Sequence, residues 1–154
     1  MPVDSGEREG IASRDLVLDG RVRVDVRVTL ILDPAEGLYC WVHYAPPIND
    51  SFRVSYRKLL RWNDEIPFIK FAVADDDRPV LLAEVPAALL SEEALGRALA
   101  RLLTVCDLLY PASLTWLHPG ARRAPASARA PRHLALLDRY AAELGELAAA
   151  AGAA

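Results

Sequence analysis

The sequence predicts an α+β fold, in which an antiparallel sheet of two hairpins carries helices packed on one face. The first observation is the alternation of apolar and polar residues over residues 22–32, which is typical of a half-buried strand. The second is the helical spacing of leucines over residues 91–110, which is typical of an amphipathic helix. The predicted order is two strands, a helix, two strands, a long helix and a trailing helix, and hairpins separated by helices are typical of the α+β class.

The composition fits a single globular domain. The chain has 154 residues, of which 53% are apolar and 25% charged. A net charge of −3 disfavours a generally basic protein that binds nucleic acid. Residues 1–10 carry no apolar stretch of a secretory signal, and no apolar run reaches the ~18 residues of a membrane helix. We therefore expect a cytoplasmic protein with no nucleic-acid or membrane partner.

The first predicted hairpin joins the strand at 22–32 to a second strand at 38–45 through a turn at 33–37. One face of the second strand carries Leu38, Cys40, Val42 and Tyr44. The opposite face carries Tyr39, Trp41 and His43. If helices cover only one face of the sheet, Tyr39 and Trp41 form an aromatic surface of the kind that favours interfaces. The alternative is that another helix, such as the last one, covers them.

The second half of the domain repeats this arrangement. A helix is expected from Asp50 or Ser51 to about Asn63, followed by strands at 67–74 and 80–85 joined by a hairpin loop at 75–79. A long helix begins after Ser91 and ends at Pro111, with a short extension at 114–117. Trp62, near the end of the first helix, is a weaker candidate for binding a partner because its position equally suits the core.

The predicted organisation has four parts. Residues 1–20 form a loose, polar N-terminal arm, and residues 21–117 form the α+β domain. Residues 118–131 form a solvated linker rich in proline, alanine and arginine, and residues 132–154 form a C-terminal helix.

The ionisable residues do not predict a catalytic or metal site. The three aspartates at 75–77 are consecutive and lack the glycine of a calcium loop, so they indicate a turn. Nothing in the sequence brings His43 to Asp64 or Glu65, and the histidines lack the spacing of metal ligands. The expectation is that the protein is not an enzyme and has no cofactor, metal or small-molecule substrate. An enzyme with an unrecognised site is the alternative.

The segment over residues 52–111 resembles the YbjN domain family. The resemblance lies in the motifs LLRWNDEIPFIKFAV, VLLAEVP and LSEEALGRALARLL, with an acidic turn between the first two. Members are described as bacterial sensory transduction regulators. The resemblance implies the fold of type III secretion chaperones, in which helices lie against a twisted antiparallel sheet, usually in a homodimer.

The resemblance also implies a function. The implied function is that of a non-enzymatic regulator or chaperone-like adaptor, which binds a protein partner or a second copy of itself. We expect Tyr39, Trp41 and Trp62 to be the contact residues. A dedicated type III secretion-type chaperone is the alternative. The family fold usually begins with a helix, which residues 1–20 do not predict, so either the C-terminal helix takes its place or the domain is incomplete.

Overall fold

The computed structural model of the chain describes residues 2–8, 10–48, 53–113 and 129–152. The predicted helix start at Asp50 or Ser51, the extension at 114–117 and most of the predicted linker lie outside the described residues.

Among the described residues, a single antiparallel sheet of six strands forms the base of the fold. The strands are β1 (Pro2–Arg8), β2 (Ile11–Leu18), β3 (Val26–Asp33), β4 (Gly37–His43), β5 (Lys70–Val73) and β6 (Pro79–Pro86). Their spatial order is β1-β2-β3-β4-β6-β5. Both predicted hairpins, β3–β4 and β5–β6, are present, and the second places β6 beside β4.

The helices confirm the α+β class. They are α1 (Arg53–Glu65), α2 (Glu92–Ser113), α3 (Leu134–Arg139) and α4 (Ala141–Gly152), and a short 3-10 turn spans Ala87–Leu89. The trailing helix is thus two helices that meet at Tyr140. The long helix continues through Pro111, where the expected stop was wrong. The Ser113 hydroxyl donates to the carbonyl of Tyr110 and pairs with the Tyr44 hydroxyl, each over 2.9 Å, and both contacts stabilise the last turn.

The first twenty residues differ from the expected loose arm. β1 and β2 form a hairpin around Gly10, which has a φ of 81°, and β2 pairs with β3. Leu18 pairs with Val26 and is buried, so β2 contributes to the core. Polar residues along β2 hid this strand in the sequence. β3 begins at Val26 and not at residue 22, because Asp25 has a φ of 55° that interrupts extended pairing.

The hydrophobic core lies between one face of the sheet and the helices. Strand residues at alternate positions, including Leu38, Cys40 and Val42, are almost fully buried together with the inner side of α2. α2 packs on β4 and β6, α1 packs on β5, and α4 packs on α2 and α1. The fold therefore consists of the sheet, the helices α1 and α2 packed on it, and α4 packed on α2.

A buried carboxylate, Asp19, connects the β2–β3 loop to the segment before α3. Its side chain is 0% exposed and accepts hydrogen bonds from the guanidinium groups of Arg129 and Arg132 over 2.6–3.1 Å. It also accepts the backbone N–H groups of Asp25 and Arg132, and its own backbone N–H donates to Nδ1 of His133. The two guanidinium groups hold the pKa of this carboxyl far below its usual range. We call Asp19, Asp25, Arg129 and Arg132 the Asp19 cluster.

The arginines of the Asp19 cluster correct the expectation for the end of the linker. Residues 118–131 were expected to be a solvated linker, but Arg129, together with Arg132 of the predicted C-terminal helix, is docked against β2–β3. A second carboxylate holds the same loop, since Asp107 of α2 accepts the backbone N–H groups of residues 21–23 over 2.5–3.2 Å. A Cβ at Gly20 would lie 2.5 Å from Oδ2 of Asp107, so the close approach of this loop to α2 requires glycine there.

Asn63 closes the β5 edge of the sheet. Its Oδ1 accepts the Phe71 backbone N–H over 2.6 Å, and its Nδ2 donates to the Phe71 carbonyl over 3.0 Å. An edge strand otherwise presents such groups to other chains. The asparagine of the RWNDE motif therefore satisfies both backbone groups of Phe71 at this edge.

Replacing Asp19 by alanine should lower the free energy of unfolding by about 2 kcal/mol or more, because several charge-assisted hydrogen bonds are lost while the half-exposed arginines regain water. Urea denaturation measures this change. The control is Asp138→Ala, which breaks the exposed pair with Arg21 and should cost less than about 1 kcal/mol. Equal losses in the two variants would contradict a central role for Asp19.

Replacing Asn63 by alanine should cost about 1–3 kcal/mol, because the Phe71 N–H and carbonyl lose their partner. It should also promote self-association through the unsatisfied edge, measured by sedimentation velocity. The neighbouring exposed residue supplies the control, Asp64→Ala. If both variants show the same stability and the same degree of self-association, Asn63 does not protect the β5 edge.

Candidate functional site

The sheet face opposite the core is the candidate site. We call it the open face; its central residues are Thr29, Ile31, Tyr39, Trp41, His43, Leu82 and Glu84. These residues keep partial or full exposure, whereas their neighbours Leu38, Cys40 and Val42 are buried. The last helix, the alternative cover for this face, packs instead on α2, and its Leu144 and Leu147 belong to the core. Among the described residues, no helix covers Tyr39 and Trp41.

Trp41 lies at the centre of the open face. It pairs with Thr29 of β3 on one side and with Leu82 of β6 on the other, and its ring centroid is 5.8 Å from that of His43. Its Nε1 is buried and has no hydrogen-bond partner in the described part of the chain. A buried N–H without an acceptor costs free energy. The indole therefore holds an unused donor within an apolar surface.

Tyr39 lies two residues away on the same face, between Ile31 and Glu84. Its hydroxyl donates to the carboxylate of Glu36 in the β3–β4 turn. This hydrogen bond favours the neutral phenol and raises the pKa of Tyr39 to about 12. Tyr39 thus presents its ring on the open face while its hydroxyl is held at the turn.

Glu36→Gln should lower the pKa of Tyr39 from about 12 towards the ordinary value of about 10, because the charged acceptor is lost. Absorbance of the phenolate during a pH titration measures it, and Tyr39→Phe assigns the transition. Glu65→Gln, at the exposed end of α1, is the control and should leave the titration unchanged. A Tyr39 pKa that stays near 12 in Glu36→Gln would contradict the assigned hydrogen bond.

Trp62 lies apart from these two residues. Its side chain is 6% exposed, and its ring centroid is 5.7 Å from that of Phe71 in the core. The structure thus brings Tyr39 and Trp41 together on the open face and places Trp62 on the other side of the sheet. A contact role for the three residues stays a prediction.

The ionisable residues considered for catalysis are not brought together. His43 is exposed on the open face, whereas Asp64 and Glu65 lie at the end of α1, on the helix side. The described residues include no cluster of three histidine, cysteine or carboxylate side chains that could hold a metal ion. The three aspartates at 75–77 lie in the β5–β6 turn, as expected.

The two cysteines are packing residues. Cys40 of β4 and Cys106 of α2 are both 0% exposed. Burial raises the pKa of each thiol to about 12, so both remain protonated at neutral pH.

The sequence patterns did not predict a groove at the β6 edge. It has a volume of about 630 Å³ and lies between β6 and the first half of α2. Arg97 and Arg101 line it, and their spacing of four residues, which puts two side chains on one side of a helix, was the sequence feature that could have indicated it.

In the described part of the chain, no helix has both the length and the apolar character that crossing a membrane requires.

A comparison of the sequence with protein families finds a match over the region from β2 to α2. A family model described as "Putative bacterial sensory transduction regulator", the YbjN model, matches residues 13–114. The match begins in β2 and runs through α2, so it includes the open face and the groove. No curated protein matches the chain. The matched region is about two thirds of the 154 residues and contains the motifs that first suggested the resemblance, and the chain belongs to the YbjN family.

Proposed function

We propose that this YbjN-family chain is a non-enzymatic, cytoplasmic regulator that binds a protein partner through the open face. The observation that carries the proposal is the buried, unpaired indole N–H of Trp41, beside Tyr39 on a sheet face that no described helix covers. The family description supports a regulatory role.

The residue types of the open face suit protein recognition. Tryptophan and tyrosine are enriched among the residues that contribute most to binding energy. Across the sheet, Trp41 lies between Thr29 and Leu82, and Tyr39 lies between Ile31 and Glu84. Aromatic and apolar groups with polar groups beside them are typical of an interface.

The β5 edge supports binding on the face and not by strand addition at that edge. A partner that added a strand there would need the N–H and carbonyl of Phe71, which Asn63 already occupies. The open face has no comparable internal partner for Trp41 among the described residues.

Replacing Trp41 by alanine should weaken partner binding about tenfold or more, because the apolar centre and the donor are both lost. The partner is captured from the native cell with the immobilised wild-type chain and identified by mass spectrometry, and its affinity is then measured with purified protein. Tyr39→Ala should act in the same direction. Leu60→Ala is the control, since Leu60 is 68% exposed on α1, away from this face.

The conservative variant Trp41→Phe tests the unpaired donor separately. It keeps the apolar ring and removes the N–H, so it should weaken binding while leaving the free energy of unfolding within about 0.5 kcal/mol of wild type. Unchanged partner affinity in both Trp41 variants would contradict the assignment.

Light scattering distinguishes a partner from a second copy of the chain. A dimer that Trp41→Ala dissociates, with no other protein captured, would assign the open face to a homodimer. A captured secretion substrate would favour the dedicated type III secretion-type chaperone. A turnover reaction that survives Trp41→Ala would favour an enzyme with an unrecognised site.

A further inference from the structure

The groove between β6 and α2, which we call the α2 groove, lies beside the open face and shares Leu82 and Glu84 with it. Its walls include Phe68, Leu82, Val85, Leu89, Arg97 and Arg101. Its volume of about 630 Å³ lies within the range of small-molecule sites, about 300–1,000 Å³. β5 pairs with β6 only as far as Leu82, so Glu84 and Val85 pair with β4 on one side and border the groove without a strand on the β5 side.

Phe68 is held at the mouth of the groove in an unfavourable conformation. Its φ is 66°, which is an outlier for a bulky aromatic residue, and its side chain is 66% exposed. An exposed ring gains little from burial in the core, so folding alone does not account for the position. Strain of this kind is concentrated at functional sites.

Arg101 gives the groove an incompletely paired cation. Its side chain is 22% exposed, and its guanidinium lies 4.0 Å from the centroid of the Phe68 ring. It forms no hydrogen bond with the described residues, and its nearest carboxylate, Glu143, is 3.7 Å away. Burial lowers the pKa of Arg101, which indicates that the neighbouring carboxylate compensates its charge only in part.

Arg97, one helical turn before Arg101 on α2, lies closer to the carboxylate of Glu143. Arg97 lies 2.7 Å from Glu143 and 3.5 Å from Glu93, so its charge is neutralised within the helix layer. Lys70 and Glu84, which also line the groove, have opposite charges. Among the described residues, Arg101 lines the groove without a hydrogen bond of its own, and its planar guanidinium matches the geometry of a carboxylate.

We propose that the α2 groove binds a small organic acid, with its carboxylate on Arg101 and its apolar body between Phe68 and Leu89. The guanidinium supplies the recognition of the anion, and the exposed ring and leucine supply the apolar contact. This inference does not rest on Tyr39 or Trp41, which do not line the groove, so it and the proposed function can fail independently.

Octanoate tests the proposal, with octanol as the neutral ligand of the same chain length. Isothermal titration calorimetry on the full chain, below micellar concentrations, should show octanoate binding more tightly than octanol. Arg101→Gln should weaken octanoate binding at least about tenfold and leave octanol binding unchanged. Arg57→Gln, on the exposed side of α1, is the matched control and should change neither.

A second variant keeps the test valid if Arg101→Gln fails to fold. Leu89 is 67% exposed, so Leu89→Asp should fold normally while its carboxylate repels octanoate. NMR amide shifts caused by octanoate should concentrate around Phe68, Leu89 and Arg101. Equal binding of octanoate and octanol in all variants, or shifts centred on Trp41, would overturn the proposal. So would tight binding of a peptide with an apolar C-terminal residue where octanoate does not bind.

Discussion

The structure depends on one buried carboxylate. Asp19 is fully buried at the β2–β3 loop, where two guanidinium groups and two backbone N–H groups compensate its charge. A buried carboxylate without these partners would carry a large desolvation penalty. Burial of Asp19 is therefore favourable only when the β2–β3 loop contacts the segment before α3. This contact fixes the segment that leads into α3, while the core leucines of α3 and α4 pack them on α2. The helices that lie on the sheet, α1 and α2, leave its other face open.

Local patterns in the sequence predicted the centre of the fold. Alternation located the β3–β4 hairpin and assigned Tyr39 and Trp41 to the same face, and helical spacing located α2. β1 and β2 were missed because pairing with a neighbouring strand, β1 with β2 and β2 with β3, and not apolar alternation, makes these segments strands. Trp62 fitted either a surface or a core position, since periodicity alone does not say which side of α1 meets the sheet.

The candidate sites were predictable to different extents. Tyr39, Trp41 and His43 of the open face alternate along one strand, so period-two reasoning placed them on the same face. The α2 groove joins Phe68 before β5 to Arg101 on α2, and no local pattern connects them. The partners of Asp19 are likewise remote in sequence, and the arginines at 129 and 132 gave only the signal of a solvated linker.

The separation between Asp19 and Arg129 is 110 residues, which has a consequence for how the chain folds during synthesis. β2 leaves the ribosome early, but the cations that neutralise its terminal carboxylate follow only after α2 has been made. Closing so long a loop is entropically unfavourable until other contacts have formed. We therefore expect the β2–β3 loop to reach its native packing only after residues 129–132 have been made.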